Sequence, residues 1–280
     1  MKNKSIGAVI GRALIFLVLL ALAISFLYPL FYMFNNSLKE LSEYYISPFR
    51  LFNLESPKWQ NFTAMITQFQ ILKLLRNSFI VSFFTVVILL LAGTLASYAF
   101  AKIRFPGHSK LYLAFLVTLF VPAQVTMIPM YINFARVGLV NNWAGVVIAN
   151  VAMFLPETVM LMTAQFKGIP DEIIEAATID GCGFFGRLRN VVVPMGWPAI
   201  SLTIIFFFIN SWNDLFTPMI MLKSMEKRTV MVALNQLIGR FTGNPPFQFA
   251  GLVLAALPAL LVYIFLQKSI VNGMSMGAIK

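Results

Sequence analysis

Residues 13–34 run for 22 positions without one Asp, Glu, Lys or Arg. The hydrocarbon core of a bilayer is about 30 Å thick, and roughly 20 apolar residues of helix cross it. Inside lipid every backbone N–H and C=O must be satisfied within the protein, so a lone run of this length has one solution, a helix. Lys2, Lys4 and Arg12 precede it, as they would in a secretory signal. The run is too long for the apolar part of such a signal, and no small-residue cleavage site follows. It reads as an uncleaved first span, with Tyr28 and Tyr32 as interface aromatics at its far end.

Five more runs repeat the pattern, at about 78–101, 111–134, 143–165, 198–222 and 249–266. Charged residues are only 11% of the chain, against about a quarter in soluble domains. Mean hydropathy is +0.82. The expected fold is all-α, one polytopic membrane domain over 1–280 with six spans. Pro122 and Pro129 interrupt the third span. Proline is tolerated there when neighbouring helices satisfy the freed carbonyls, so this span is expected to face protein. Between the first two spans, 58–62 reads as a short surface helix, and 223–247 reads as a solvated polar connector.

The formal net charge is +11. No basic and aromatic interleaving of the strand-binding kind accompanies it, so nucleic acid is not the expected partner. The cations instead suit a lipid surface. Lys and Arg divide almost equally between the two sides. Three precede the first span and three sit in the short turn 102–110, which favours a cytoplasmic N-terminus. Six spans then put both ends inside.

Catalytic chemistry has nowhere to reside. No GxxxxGK[ST] loop is present to cradle a nucleotide. One histidine (His108) and one cysteine (Cys182) give neither a triad nor a metal cluster. No metal or other cofactor is expected in this chain. If transport is active, its energy comes from another chain or from an ion gradient.

The longest polar segment on the cytoplasmic side is 175–194, EAATIDGCGFFGRLRNVVVP. It reads as a helix, a bend permitted by Gly181 and Gly183, a second short helix, and Pro194 leading into the next span. Glu175-Ala176-Ala177, Gly181 after Asp180, Val191 and Val193-Pro194 resemble the EAA loop of ABC import permeases. Asn36-Ser37-Leu38-Lys39, Trp212-Asn213-Asp214 and the tail 273–280 extend the likeness over nearly the whole length. The chain resembles the second permease subunit of the maltose-type carbohydrate importers.

That resemblance implies a bacterial inner-membrane protein that pairs with a homologous permease. It implies an ATPase dimer that binds ATP and Mg, and an extracytoplasmic sugar-binding protein. It implies ATPase coupling through Glu175, Ala176, Ala177, Asp180, Gly181 and Arg187. It also implies that 223–247 meets the binding protein and that the tail reaches towards the ATPases.

Two acids, Glu157 and Asp214, fall at membrane depth, where an ionisable side chain is costly and marks a functional candidate. Asn210, Asn213 and Asp214 at i, i+3 and i+4 share a helical face. A translocation path for a sugar would use such groups. Interhelical hydrogen bonding would use them equally. Two other readings remain at this point: a stand-alone ion-coupled carrier working through Glu157 or Asp214, and a permease for another solute such as glycerol phosphate. No cation lies in 13–34, 78–101 or 198–222, which suits a neutral solute.

Overall fold

The computed structural model describes residues 6–240 and 243–277, with side chains from 11–237 and 243–267. The first long helix, α1, spans Ile6–Ser37. Within Gly11–Ser37, the most apolar 18-residue window has mean hydropathy 2.7 and buries no residue within the chain. Such a surface belongs against lipid or another membrane chain.

Two short helices follow, α2 (Leu41–Ile46) and α3 (Gln60–Thr67). The second overlaps the surface helix expected near 58–62. Then come α4 (Ile71–Lys102), α5 (His108–Val117), α6 (Ala123–Arg136) and α7 (Trp143–Lys167). The third apolar run is not one straight rod. It breaks at Pro122 into α5 and α6, which meet at 99°. Pro122 sits in extended conformation before α6, the residue type that ends one helix and can begin the next.

Next are α8 (Asp171–Ile179), α9 (Phe184–Arg187), a π-helical turn (Leu188–Val192) and the single turn α10 (Val193–Met195). They lead into α11 (Trp197–Asn213) across a 76° bend. The fifth apolar run is broken too: α12 (Phe216–Met221) follows two non-helical residues, Asp214 and Leu215. Finally come α13 (Val230–Arg240) and α14 (Pro245–Gly277). The tail continues α14 as far as Gly277, and 278–280 lie outside the described residues. Four helices are long and apolar enough to cross a membrane, or six segments if each bent pair makes one span.

By internal contacts the chain divides into two units. One is Met1–Ile71 with Leu234–Ala256. It is organised by Asn35 to Lys39, all buried. Asn35 donates to the Arg50 carbonyl at 2.8 Å and accepts from the Phe52 N–H at 2.9 Å. The Lys39 ammonium has no exposed surface; it donates to the carbonyls of Ser47 (2.8 Å) and Pro48 (3.2 Å). Burial pushes its pKa down, with Glu43 opposing. Asn61 donates to the carbonyls of Ser37 and Lys39. The likeness at these positions thus has a local cause: Asn35 and Lys39 fold the loop back onto the end of α1.

The other unit is Leu72–Ala233 with Leu257–Lys280. Here α4 and α7 approach closely, with Gly93 against Thr158 and the Ser97 hydroxyl donating to the Val159 carbonyl. Small residues at a membrane-helix interface allow this approach. At the far end from α8, the turn before α7 is stapled to the segment after α12. Asn141 (φ +57) donates to Ser224 Oγ and accepts from the N–H groups of Lys223 and Ser224. Trp143 Nε1 donates to the Lys227 carbonyl. Asn77 and Ser78 on α4 hold the strand of chain that starts α13. The region read as a solvated connector therefore carries a helix, α13, with Val230, Val232, Ala233, Leu234 and Leu237 buried. The apolar face is evident in that spacing once α13 is recognised; the many polar residues around it masked the pattern.

Candidate functional site

The segment 171–196 lies outside the long helices and is built in three steps. First, α8 is pinned at its start. Lys102, at the end of α4, donates to the Ile169 carbonyl and to Asp171 Oδ1 at 2.6 Å. Asp171 and Glu172 occupy the first turn of α8, where the helix dipole favours carboxylates. The Lys102 ammonium holds the Asp171 carboxyl below its ordinary range, first by the hydrogen bond and then by charge. Asp171 is exposed, so solvent screens the pair and its stability contribution is small. A carboxyl pKa lowered by folding adds stability above the unfolded value, about 3.9, and loses it as pH falls through the folded value. Asp171→Asn is expected to melt slightly below the unmodified protein at neutral pH, and the gap is expected to close below about pH 4. A gap unchanged across pH would show that the pair does not form.

Second, α8 is stopped by backbone geometry. Gly181 has φ +83. Its N–H donates to the Thr178 carbonyl at 3.1 Å, and the Cys182 N–H reaches back to the Ala177 carbonyl at 2.9 Å. This pair of bonds is the Schellman ending of a helix, and it requires a left-handed residue where Gly181 stands. Third, α9 is tied back to α8. Arg187 Nη1 donates to Thr178 Oγ1 at 2.9 Å, while Thr178 Oγ1 donates to the Ile174 carbonyl. Ile174, Leu188 and Val192 pack with Tyr98, Met162, Phe166 and Ile200 into one buried cluster. The bend is thereby welded to the lower ends of α4, α7 and α11.

The six residues read from sequence for this segment fall into two groups. Glu175, Ala176 and Asp180 are exposed and free to meet a partner; Gly181 is exposed at the turn. Ala177 is buried against the chain's own core, and Arg187 serves the bend from within. Lys102, Thr178 and Asp171 were not singled out by sequence, because their work is done by contacts between segments 69 and 9 positions apart.

The four candidates at membrane depth differ in their surroundings. Asn210 donates to the Phe206 carbonyl of its own helix at 2.8 Å and is exposed, as is Asn213. Glu157 is half-buried and makes no hydrogen bond or ion pair among the described residues. Asp214 stands at the break between α11 and α12. Its Oδ1 accepts the Thr217 N–H at 3.2 Å, and the Asn150 side chain lies within its reach. Asn150 also donates to Ser211 Oγ at 3.3 Å. Asn150, Ser211, Asp214 and Thr217 form a polar knot joining α7 to the broken helix. Asp214→Ala is expected to lose about 1 kcal/mol, the usual worth of a helix-start acceptor, and Asp214→Asn much less. Equal melting losses in the two variants would argue against the capping role.

A family model described as binding-protein-dependent transport system inner membrane component matches residues 91–276. The chain is 27% identical over 271 residues to the arabinooligosaccharides transport system permease protein of Bacillus subtilis (strain 168), covering 96% of each. It is 28% identical to a diacetylchitobiose uptake system permease protein of Streptomyces coelicolor, covering 90% of this chain and 83% of that one. It is 27% identical to the maltodextrin transport system permease protein of Bacillus subtilis, covering 99% of each. Among solved structures, one chain of a bacterial ABC transporter involved in import of the acidic polysaccharide alginate superposes with a TM-score of 0.80. That pair is 24% identical, over 96% of this chain and 99% of the other, and the likeness is one of fold. The family model alone spans well over half the sequence, and the chain belongs to the family of inner membrane components of binding-protein-dependent transport systems.

Proposed function

We propose that this chain is a permease subunit of an ATP-driven importer of a di- or oligosaccharide. It pairs with a second, homologous permease and receives sugar from an extracytoplasmic binding protein. An ATPase dimer, holding ATP and Mg, grips the segment 175–181 from the cytoplasm. Closure of the ATPases moves α8, α9 and the helices welded to them as one body, and access alternates between the two sides. The observation that carries this reading is the construction of 171–187. Its outer face offers Glu175, Ala176 and Asp180, while its inner face is locked to three long helices. A solvated connector needs no such lock.

The sugar assignment draws support from relatives named for arabinooligosaccharides, diacetylchitobiose and maltodextrin. A second solved structure, 12% identical, is titled as the alginate transporter in complex with alginate pentasaccharide-bound periplasmic protein; it supports the fold and suggests the form of the assembly. Family membership favours this reading over a self-contained ion-coupled carrier working through Glu157 or Asp214. Asp214 is here part of the knot that shapes the helix break, and Glu157 is assigned to the path walls.

The test is a mild-detergent pull-down of the tagged chain from its host, followed by uptake of labelled oligosaccharides in cells with and without it. Recovery of a second permease and an ATPase, with uptake lost in the deletion, is the expected result. Recovery of the chain alone, under conditions that preserve other membrane complexes, would sink the proposal.

A further inference from the structure

Beside α8 lies a cavity of about 790 Å³. Its walls are the end of α4, the start of α5, the end of α7 and the flank of α8. Three of these are the ends of long or paired apolar helices, so its mouth sits where membrane meets water, on the α8 side. Four cations line it, Lys102, Arg104, Lys167 and Arg187, against two carboxylates, Asp171 and Glu175. Lys102 and Asp171 are taken up by each other. Among the described residues Arg104 and Lys167 form no salt bridge, although the Arg104 charge acts on Asp171 from a distance, and the Lys167 ammonium rests over the Tyr112 ring at 5.3 Å. Arg187 spends Nη1 on Thr178, while its Nε is buried with no acceptor. Next to the mouth, α5 exposes Leu111, Leu113 and Val117.

We propose that this cavity binds the phosphodiester headgroup of an anionic phospholipid of the phosphatidylglycerol class. Arg104 and Lys167, both exposed at the cavity, donate to the phosphate oxygens, and the acyl chains lie along the exposed leucines of α5. Glu175, on the α8 wall, makes no contact with the lipid and stays available to the ATPase. A guanidinium and an ammonium flanking one phosphate is the recurrent recognition chemistry for that group. Free phosphate shares the headgroup chemistry but has no use for the apolar flank. An acidic segment of a soluble partner would likewise leave Leu111 and Leu113 uncovered. The inference goes beyond the proposed function, and its test in the assembled complex rests on that reading.

The experiment uses the assembled complex, stripped of lipid in neutral detergent, and native mass spectrometry. Phosphatidylglycerol, phosphatidylethanolamine and inorganic phosphate are titrated in turn. The expected result is saturable retention of phosphatidylglycerol that neither of the other two reproduces or displaces. The double variant Arg104→Gln/Lys167→Gln is expected to weaken that retention about tenfold or more, as the loss of two interfacial cations implies. Subunit composition and melting point of the variant are checked alongside. If the pair does not assemble, Arg104→Gln alone, at an exposed side chain, serves with about a fivefold loss expected. Undiminished retention in the variants would overturn the proposal. Displacement by inorganic phosphate would make the site one for a free anion, and would overturn the lipid. Retention by the isolated full chain that vanishes when the ATPase is bound would assign the cavity to the protein interface instead.

Discussion

Gly181→Val is expected to abolish uptake while the protein still inserts and is recovered at nearly normal levels. The reason is conformational. At φ +83 a β-branched residue is strained, at a cost of about 1–2 kcal/mol. A Cβ at this position would meet nothing within 4 Å, so the penalty is one of backbone alone and cannot be relieved by repacking. The chain escapes it by opening the bend. That breaks the Gly181–Thr178 and Cys182–Ala177 hydrogen bonds and turns α9 away from Thr178, its Arg187 anchor. An equilibrium biased by this amount shifts roughly 5- to 30-fold, and the face carrying Glu175 and Asp180 is then presented in the wrong orientation to an ATPase. Gly181→Asn, a residue that tolerates the left-handed region, is expected to keep a large part of the uptake. Comparing the two variants by uptake and by pull-down of the ATPase separates strain from loss of a side-chain contact. Normal uptake with valine would mean that the bend does not transmit the stroke.

That prediction could be written from sequence because its cause is local. A Glu-Ala-Ala helix followed by Asp and Gly announces a helix stop, and residues 13–34 announce a membrane helix, without any knowledge of distant parts. What stayed hidden depends on partners far along the chain. Lys102 reads as one of several basic residues in a turn; only the fold brings it to Asp171 and the Ile169 carbonyl. Asn141 reads as a loop residue, yet it holds the chain after α12 through its side chain, its N–H and its carbonyl. Asp214 reads as one face of a continuous helix with Asn210 and Asn213. The helix ends at Asn213 instead, because Asp214 offers its carboxylate to the next turn and so competes with helix continuation. A periodicity argument assumes an unbroken helix, and that assumption failed where the functional interest was greatest.

Among the described glycines, Gly145→Ala should cost the most stability, since its added Cβ would make the shortest contact, with a backbone oxygen. Gly145 is the third residue of α7, and a Cβ there would lie 2.2 Å from the Leu139 carbonyl oxygen and 3.0 Å from Met221 Cε. The methionine can yield, but the carbonyl belongs to backbone that is fixed from both sides. Leu139 N–H is bonded to the Phe134 carbonyl at 2.9 Å, and Asn141 N–H to the Met221 carbonyl at 2.7 Å. Lys227 Nζ holds the Asn141 carbonyl at 2.8 Å, and Trp143 Nε1 holds that of Lys227 at 2.8 Å. Room for the methyl group can come only by displacing this whole staple. Alanine's better helix propensity returns about 1 kcal/mol, whereas overpacking at a site that cannot relax costs about 3 kcal/mol or more. The net loss of roughly 2 kcal/mol corresponds to a fall of about 4 °C or more in melting temperature for a chain of this size. Gly11→Ala is the internal control, since a Cβ there meets nothing within 4 Å and no loss is expected. Thermal unfolding of the two purified variants side by side decides the matter. An unchanged melting point for Gly145→Ala would mean that α7 and the Leu139 carbonyl are not in contact. Its uptake should fall in step with the amount of folded protein, because the staple lies at the end of α7 opposite the bend at Gly181.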